Sequence, residues 1–115
     1  ASNEASSHEN FKNLVINFGE GDTHLSLKQL TPVRLLKNDF FNLVQQAENK
    51  GASTDELQKL LGRGRAKLGM FEGNLAEGEL EIGQVSAIIK TIKPAAEIVQ
   101  EMYKEYEAAL KQPVK

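Results

Sequence analysis

One short stretch limits what this chain can fold into more than any other. Thr23-His24-Leu25-Ser26-Leu27 alternates strictly, putting Leu25 and Leu27 on one face and His24, Ser26 and Lys28 on the other. A period of two is the pattern of a half-buried β-strand. It is the one convincing strand in 115 residues. A strand cannot stand alone, because its backbone donors and acceptors need a neighbour. Two solutions are expected: pairing with a copy of itself in an oligomer, or a sheet that lies outside this chain.

The rest reads as mainly helical. Phe11, Leu14, Val15 and Phe18 fall at i, i+3, i+4 and i+7, an apolar stripe with Ser6 or Ser7 as its cap and Gly19 as its left-handed stop. Val33 to Asn49 mixes apolar and polar positions, with Asn38 or Asp39 as a cap and Gly51 as a stop. Ser53-Thr54-Asp55-Glu56 is a capping box that starts a short helix carrying Leu57, Leu60 and Leu61, closed by Gly62. Glycines then crowd positions 62, 64, 69, 73, 78 and 83, which predicts an irregular segment that turns sharply or lets backbone approach closely. Val85, Ile88, Ile89 and Ile92 predict one more helical stripe, and Pro94 restarts a helix bearing Ile98, Val99, Met102, Tyr106 and Leu110. Both stripes are expected to be core.

Composition excludes several classes. Fourteen basic against sixteen acidic residues give a net charge of −2, which argues against a nucleic-acid binder working through bulk charge. Without cysteine there is no disulfide scaffold, thiol catalysis or cysteine zinc site. No apolar run approaches the ~18 residues of a membrane span. The expected setting is cytoplasmic, away from membranes. The chain opens on Ala1 rather than Met, which suggests a piece of something longer.

Candidate chemistry is sparse. Gly62-Arg63-Gly64-Arg65, followed by Lys67, could clamp a phosphate or RNA through guanidinium forks and open N–H groups, but a solvated loop is the plainer reading. Glu72, Glu77, Glu79 and Glu81 follow without a base between them; Glu79 and Glu81 should point outward from Leu80 and Ile82 as a solvated rim. His8 and His24 lie in different elements with no ligand at i+3 or i+4, so neither is expected to be catalytic or to hold a metal.

Four stretches in order carry a resemblance. They are Ala1-Ser2-Asn3-Glu4-Ala5-Ser6; Asp22-Thr23 with Thr31-Pro32-Val33-Arg34-Leu35-Leu36-Lys37-Asn38; Gly62-Arg63-Gly64-Arg65-Ala66-Lys67-Leu68-Gly69-Met70-Phe71-Glu72-Gly73-Asn74-Leu75; and Gly78-Glu79-Leu80-Glu81-Ile82-Gly83-Gln84-Val85, running on to Ile92-Lys93-Pro94-Ala95-Ala96-Glu97-Ile98. Together they resemble the C-terminal part of the nitronate monooxygenases, formerly 2-nitropropane dioxygenases. The related flavin-dependent enoyl-acyl-carrier-protein reductases share the pattern more loosely.

That resemblance implies a C-terminal fragment of a flavin-binding (β/α)8 TIM barrel, mainly α by itself, with at most one or two short strands. Residues 1–30 would be the last helix and strand of the barrel, and 31–115 a helical region with a Gly-rich loop at 62–83. The parent would be an FMN enzyme oxidising alkyl nitronates with dioxygen; an enoyl-ACP reductase, or a stand-alone helical interaction module, is the alternative. The family's phosphate loop and catalytic histidine lie upstream, so the fragment itself is expected to be inactive. Gly83 and Gln84 are the residues placed near the cofactor. A similar Ala-Gly-Gln stretch lies by the flavin ring in the related reductases, and Ile82 here replaces the alanine. The expected partners are a small-molecule substrate of the parent and, through exposed apolar helix faces, a second copy of the chain.

Overall fold

The computed structural model describes residues 1–113. Its elements are α1 (Glu9–Asn17), β1 (Thr23–Ser26), β2 (Val33–Leu36), α2 (Asp39–Asn49), α3 (Thr54–Leu61) and α4 (Ala95–Leu110), with a π-turn at Lys67–Phe71 and a 3-10 turn at Gln84–Ile88.

The strand is not alone. β1 pairs antiparallel with β2, Thr23 opposite Leu36 and Ser26 opposite Val33. This corrects the expectation of a partner outside the chain. Val33–Leu36, which shows no alternation, is the second strand, and the helix starts at Asp39 directly after the expected cap Asn38. On the far edge of β2, the Leu36 N–H donates to the Leu80 carbonyl at 2.9 Å and the Ile82 N–H to the Arg34 carbonyl at 3.2 Å. A β-bridge between Leu35 and Glu81 lies between them. β2 is therefore a central strand with neighbours on both sides.

Its two leucines divide the core. Side chains of consecutive strand residues point to opposite faces. Leu35 joins Phe40, Phe41, Val44 and Leu57 beneath α2 and α3, while Leu36 joins Phe11, Val15, Phe18 and Leu80 beneath α1. On β1 the expected faces are exchanged. Ser26 is buried and the His24 ring meets Phe41 edge-on at 5.5 Å, whereas Leu25 is exposed. Leu27 regains the interior by taking a left-handed conformation, φ 57°, just past the strand.

The helix starts follow local chemistry. Ser53 Oγ accepts from the Glu56 N–H at 3.2 Å, as the capping box predicts. Asn38 caps α2 by accepting from the Phe41 N–H at 2.8 Å, and its amide nitrogen donates to the Leu75 and Gly78 carbonyls at 2.8 and 2.7 Å. One side chain thus starts a helix and clamps the glycine-rich segment. Asn38→Ala should cost about 3 kcal/mol in urea unfolding, combining a lost cap with two carbonyls left unpaired. Asn38→Asp keeps the cap but turns a carboxylate oxygen toward the same two carbonyls, so it should still cost at least about 2 kcal/mol; an Asn38→Asp protein as stable as the parent would refute the clamp. At α1 the cap is His8, not Ser6 or Ser7: its Nδ1 accepts from the Asn10 N–H at 3.0 Å. Gly19 is not the left-handed residue there; Gly21 is, at φ 86°.

The last third departs most from expectation. Residues 85–92 form a 3-10 turn and then extended chain rather than a helix. Ala87 and Ile89 pack against the α1 cluster, but Val85 and Ile88 are 71 % and 77 % exposed. The extended run brings Lys93 beside Ser2, and Glu4 then caps α4 by accepting from the Ala95 N–H at 2.7 Å. α4 contributes no buried residue; Val99, Met102, Tyr106 and Leu110 all face solvent, so the stripe is not core. The radius of gyration, 17.3 Å, exceeds the roughly 13 Å of a compact domain of this length. α4 projects from the body. Among the described residues no helix is long and apolar enough to cross a membrane.

Candidate functional site

The glycine-rich segment wraps back over β2 because two of its glycines let backbone meet backbone. A Cβ on Gly78 would fall on the Gly69 main chain and lie 2.6 Å from the Asn74 carbonyl oxygen. This crossing delivers Leu80–Ile82 to the edge of β2 and carries Gly83 and Gln84 to the end of the sheet.

The two residues singled out for a cofactor line different hollows. Gly83 borders a shallow hollow of about 300 Å³ with Val33, Arg34 and Ile82. Gln84 borders a larger cleft of about 740 Å³ with Thr23, Arg34, Val85, Ile88 and Lys90. Arg34 belongs to both. Its Nη1 donates to Thr23 Oγ1 at 3.2 Å, across the hairpin. Lys90 crosses the cleft wall to donate to the Phe18 carbonyl at 3.2 Å.

A flavin ring has a hydrogen-bonding edge and an apolar edge. The exposed Gln84 amide can donate and accept, Val85 beside it is open, and a Cβ on Gly83 would meet nothing within 4 Å. The residues present suit one side of such a ring.

Glu79 is the surprise. It is 6 % exposed, not part of a solvated rim. Burial, followed by the hydrogen bond and the charge of Glu81, pushes its carboxyl up to about 8. The neutral acid is therefore held inside the wrap at moderate pH, where an ionised one would be poorly solvated.

Other candidates lose their chemistry. Arg65 donates to the Glu77 carbonyl at 2.8 Å and stacks 4.8 Å over the Phe40 ring, so it braces the wrap rather than waiting for phosphate. Arg63 is exposed, and Lys67 pairs loosely with Glu72 at 3.8 Å. The His8 ring packs on Gly73, where any Cβ would strike it at 2.5 Å. Among the described residues no three His, Asp or Glu side chains are grouped to hold a metal.

Arg34 and Lys90 were missed by sequence reasoning, though a signal existed for the first. A charge inside Val33-Arg34-Leu35-Leu36 interrupts an apolar strand, which is unusual unless its head group has somewhere to go.

No protein-family model matches the sequence, and a search of curated proteins finds no match. Solved structures do match. FabK from Thermotoga maritima superposes with a TM-score of 0.84 at 25 % identity, covering 96 % of this chain and 35 % of FabK. A point mutant of the same protein gives 0.78 at 24 %, covering 96 % and 32 %. The fold, mainly helical with a two-stranded sheet, matches a fragment of a TIM-barrel enzyme, FabK. The chain spans about a third of the length of the FabK structures it resembles.

Proposed function

We propose that this chain is the C-terminal part of an FMN-dependent oxidoreductase, and that the reaction is reduction of an enoyl thioester. The likeness to FabK over 96 % of the chain carries the reading. FabK is a flavin-dependent enoyl-ACP reductase. The order of the four sequence stretches supports a second reading, oxidation of alkyl nitronates. The matched structures favour the first.

In this reading the polar edge of the flavin meets the Gln84 amide, and Gly83 leaves room for the ring to approach the backbone. Bound flavin would supply two-electron transfer to or from the substrate. Residues of the barrel body would complete the pocket and hold the phosphate. The same body, or a second copy of the chain, would cover the apolar face of α4.

The test is a chimaera in which this chain replaces the matched third of Thermotoga maritima FabK. It should retain flavin, and Gln84→Ala should lower flavin occupancy without changing the melting profile. A folded chimaera that never holds flavin would overturn the proposal. Two half-reactions, run on the full-length protein with its own barrel body rather than on the chimaera, separate the substrates. After chemical reduction without oxygen, an enoyl thioester should restore the yellow absorbance; bleaching of the oxidised protein by an alkyl nitronate would favour the second reading. Sedimentation decides what covers α4: the isolated chain should self-associate and the chimaera should not.

A further inference from the structure

We propose that the cleft between β1, β2 and the 3-10 turn binds the phosphate ester of an apolar-bodied molecule, with Arg34 and Lys90 holding the phosphate. Its volume, about 740 Å³, lies within the range of small-molecule sites. The charge of its lining is the first argument. Arg34 and Lys90 line the cleft against one acid, Glu20, giving a local charge of +1 in a chain whose net charge is −2.

The state of those cations is the second. The ion pairs among the described residues are Lys67–Glu72 and Lys93–Glu101, so neither Arg34 nor Lys90 has a carboxylate partner. Each is instead anchored by one neutral acceptor, Thr23 Oγ1 or the Phe18 carbonyl. Anchoring fixes the head group while leaving most of its donors free: a guanidinium has five N–H groups and an ammonium three. A dianionic phosphate suits a cleft lined by two cations better than a single carboxylate does, and the planar guanidinium can grip two of its oxygens.

Part of the lining is apolar. Val85 and Ile88 stand 71 % and 77 % exposed on a turn whose Ala87 is packed into the core. Two branched side chains held open on an anchored turn, in a cleft also lined by two cations, suit a ligand with an anionic head and an apolar body.

A substrate tail and the phosphate of the flavin itself share this chemistry, and the flavin reading given above puts the flavin phosphate elsewhere. Octyl phosphate and FMN are therefore separate arms of one calorimetric titration of the chain, with inorganic phosphate and riboflavin as controls. The expected result is that octyl phosphate binds at least about tenfold more tightly than inorganic phosphate, with amide shifts at Thr23, Gln84 and Ile88. Lys90→Gln, at an exposed position, should weaken it by a similar factor. Arg34→Gln should do the same where its melting profile matches the parent. If FMN binds and riboflavin does not, with the same dependence on Lys90, the cleft inference stands and the placement of the flavin phosphate falls. If neither phosphate ester binds, or binding ignores both substitutions, the cleft is not a phosphate site, whatever the chimaera shows.

Discussion

Gly78→Ala should cost more stability than any other single-methyl change in this chain. The added carbon would fall on the Cα and N of Gly69 and 2.6 Å from the Asn74 carbonyl oxygen. All three are main-chain atoms, and the Gly69 pair belongs to the π-turn, so no side-chain rotation relieves the clash. Relief requires the two segments to part. Parting them breaks the donation from Asn38 to the Gly78 carbonyl at 2.7 Å and from the Glu79 N–H to the Arg65 carbonyl at 2.9 Å. It also withdraws Leu80, 1 % exposed, from the α1 cluster. The expected loss is about 4 kcal/mol, at the upper end of single substitutions. A domain of ordinary stability holds only about 5–15 kcal/mol, so the urea midpoint should fall by roughly a quarter to four-fifths. Gly69→Ala is the graded comparison. Its nearest neighbour is the Leu80 Cδ2 at 2.7 Å, a side chain with some freedom, though the Gly78 Cα stands at 3.0 Å. About 2 kcal/mol is expected there, as for other overpacked sites. Gly83→Ala, with open space around it, should be neutral within about 0.5 kcal/mol. A Gly78→Ala protein as stable as Gly83→Ala would mean the two backbones do not touch.

The sequence carried the local signals well and the long-range ones poorly, for a physical reason. The caps at Ser53 and Asn38 and the left-handed stop at Gly51, φ 75°, act within four residues and do what their chemistry predicts, whereas the reach of Asn38 to Leu75 and Gly78 is not a local signal. β2 was hidden because it is covered on both faces. A central strand shows a continuous apolar run instead of alternation, and Val33-Arg34-Leu35-Leu36 beside a helix looks like part of that helix. The helix expected over residues 85–92 failed for a related reason. Its β-branched stripe matched a helical period, but such residues suit extended chain at least as well. Contacts seventy or more residues away, Lys90 with Phe18 and Lys93 with Asn3, hold it extended. The cofactor pair Gly83–Gln84 came from a motif, whereas the cleft around it depends on where the Gly69–Gly78 crossing places the chain. Glycine density hinted at a close approach without saying which glycines meet.

That crossing also sets the pH response, which should be the largest solution effect short of unfolding the wrap. Glu79 sits immediately after Gly78, and burial together with Glu81 raises its carboxyl from the ordinary 4.5 to about 8. A carboxyl whose folded pKa is raised binds its proton more tightly in the folded state than in the unfolded chain. Its favourable contribution is therefore complete below about pH 4.5 and disappears as pH climbs through about 8. The parent protein should lose on the order of 3 kcal/mol between pH 5 and pH 9 from this group. Glu79→Gln keeps the shape and a hydrogen-bonding head but has no proton to lose. It should match the parent near pH 5 and melt about 10 °C higher at pH 9. Glu81→Gln separates the two causes. Removing the neighbouring charge lowers the Glu79 pKa only by the smaller contributions, since burial is the largest. The stability loss should then level off at a lower pH and be smaller, without vanishing. Equal pH profiles for the parent and Glu79→Gln would place the carboxyl in water and return it to the rim that its spacing first suggested.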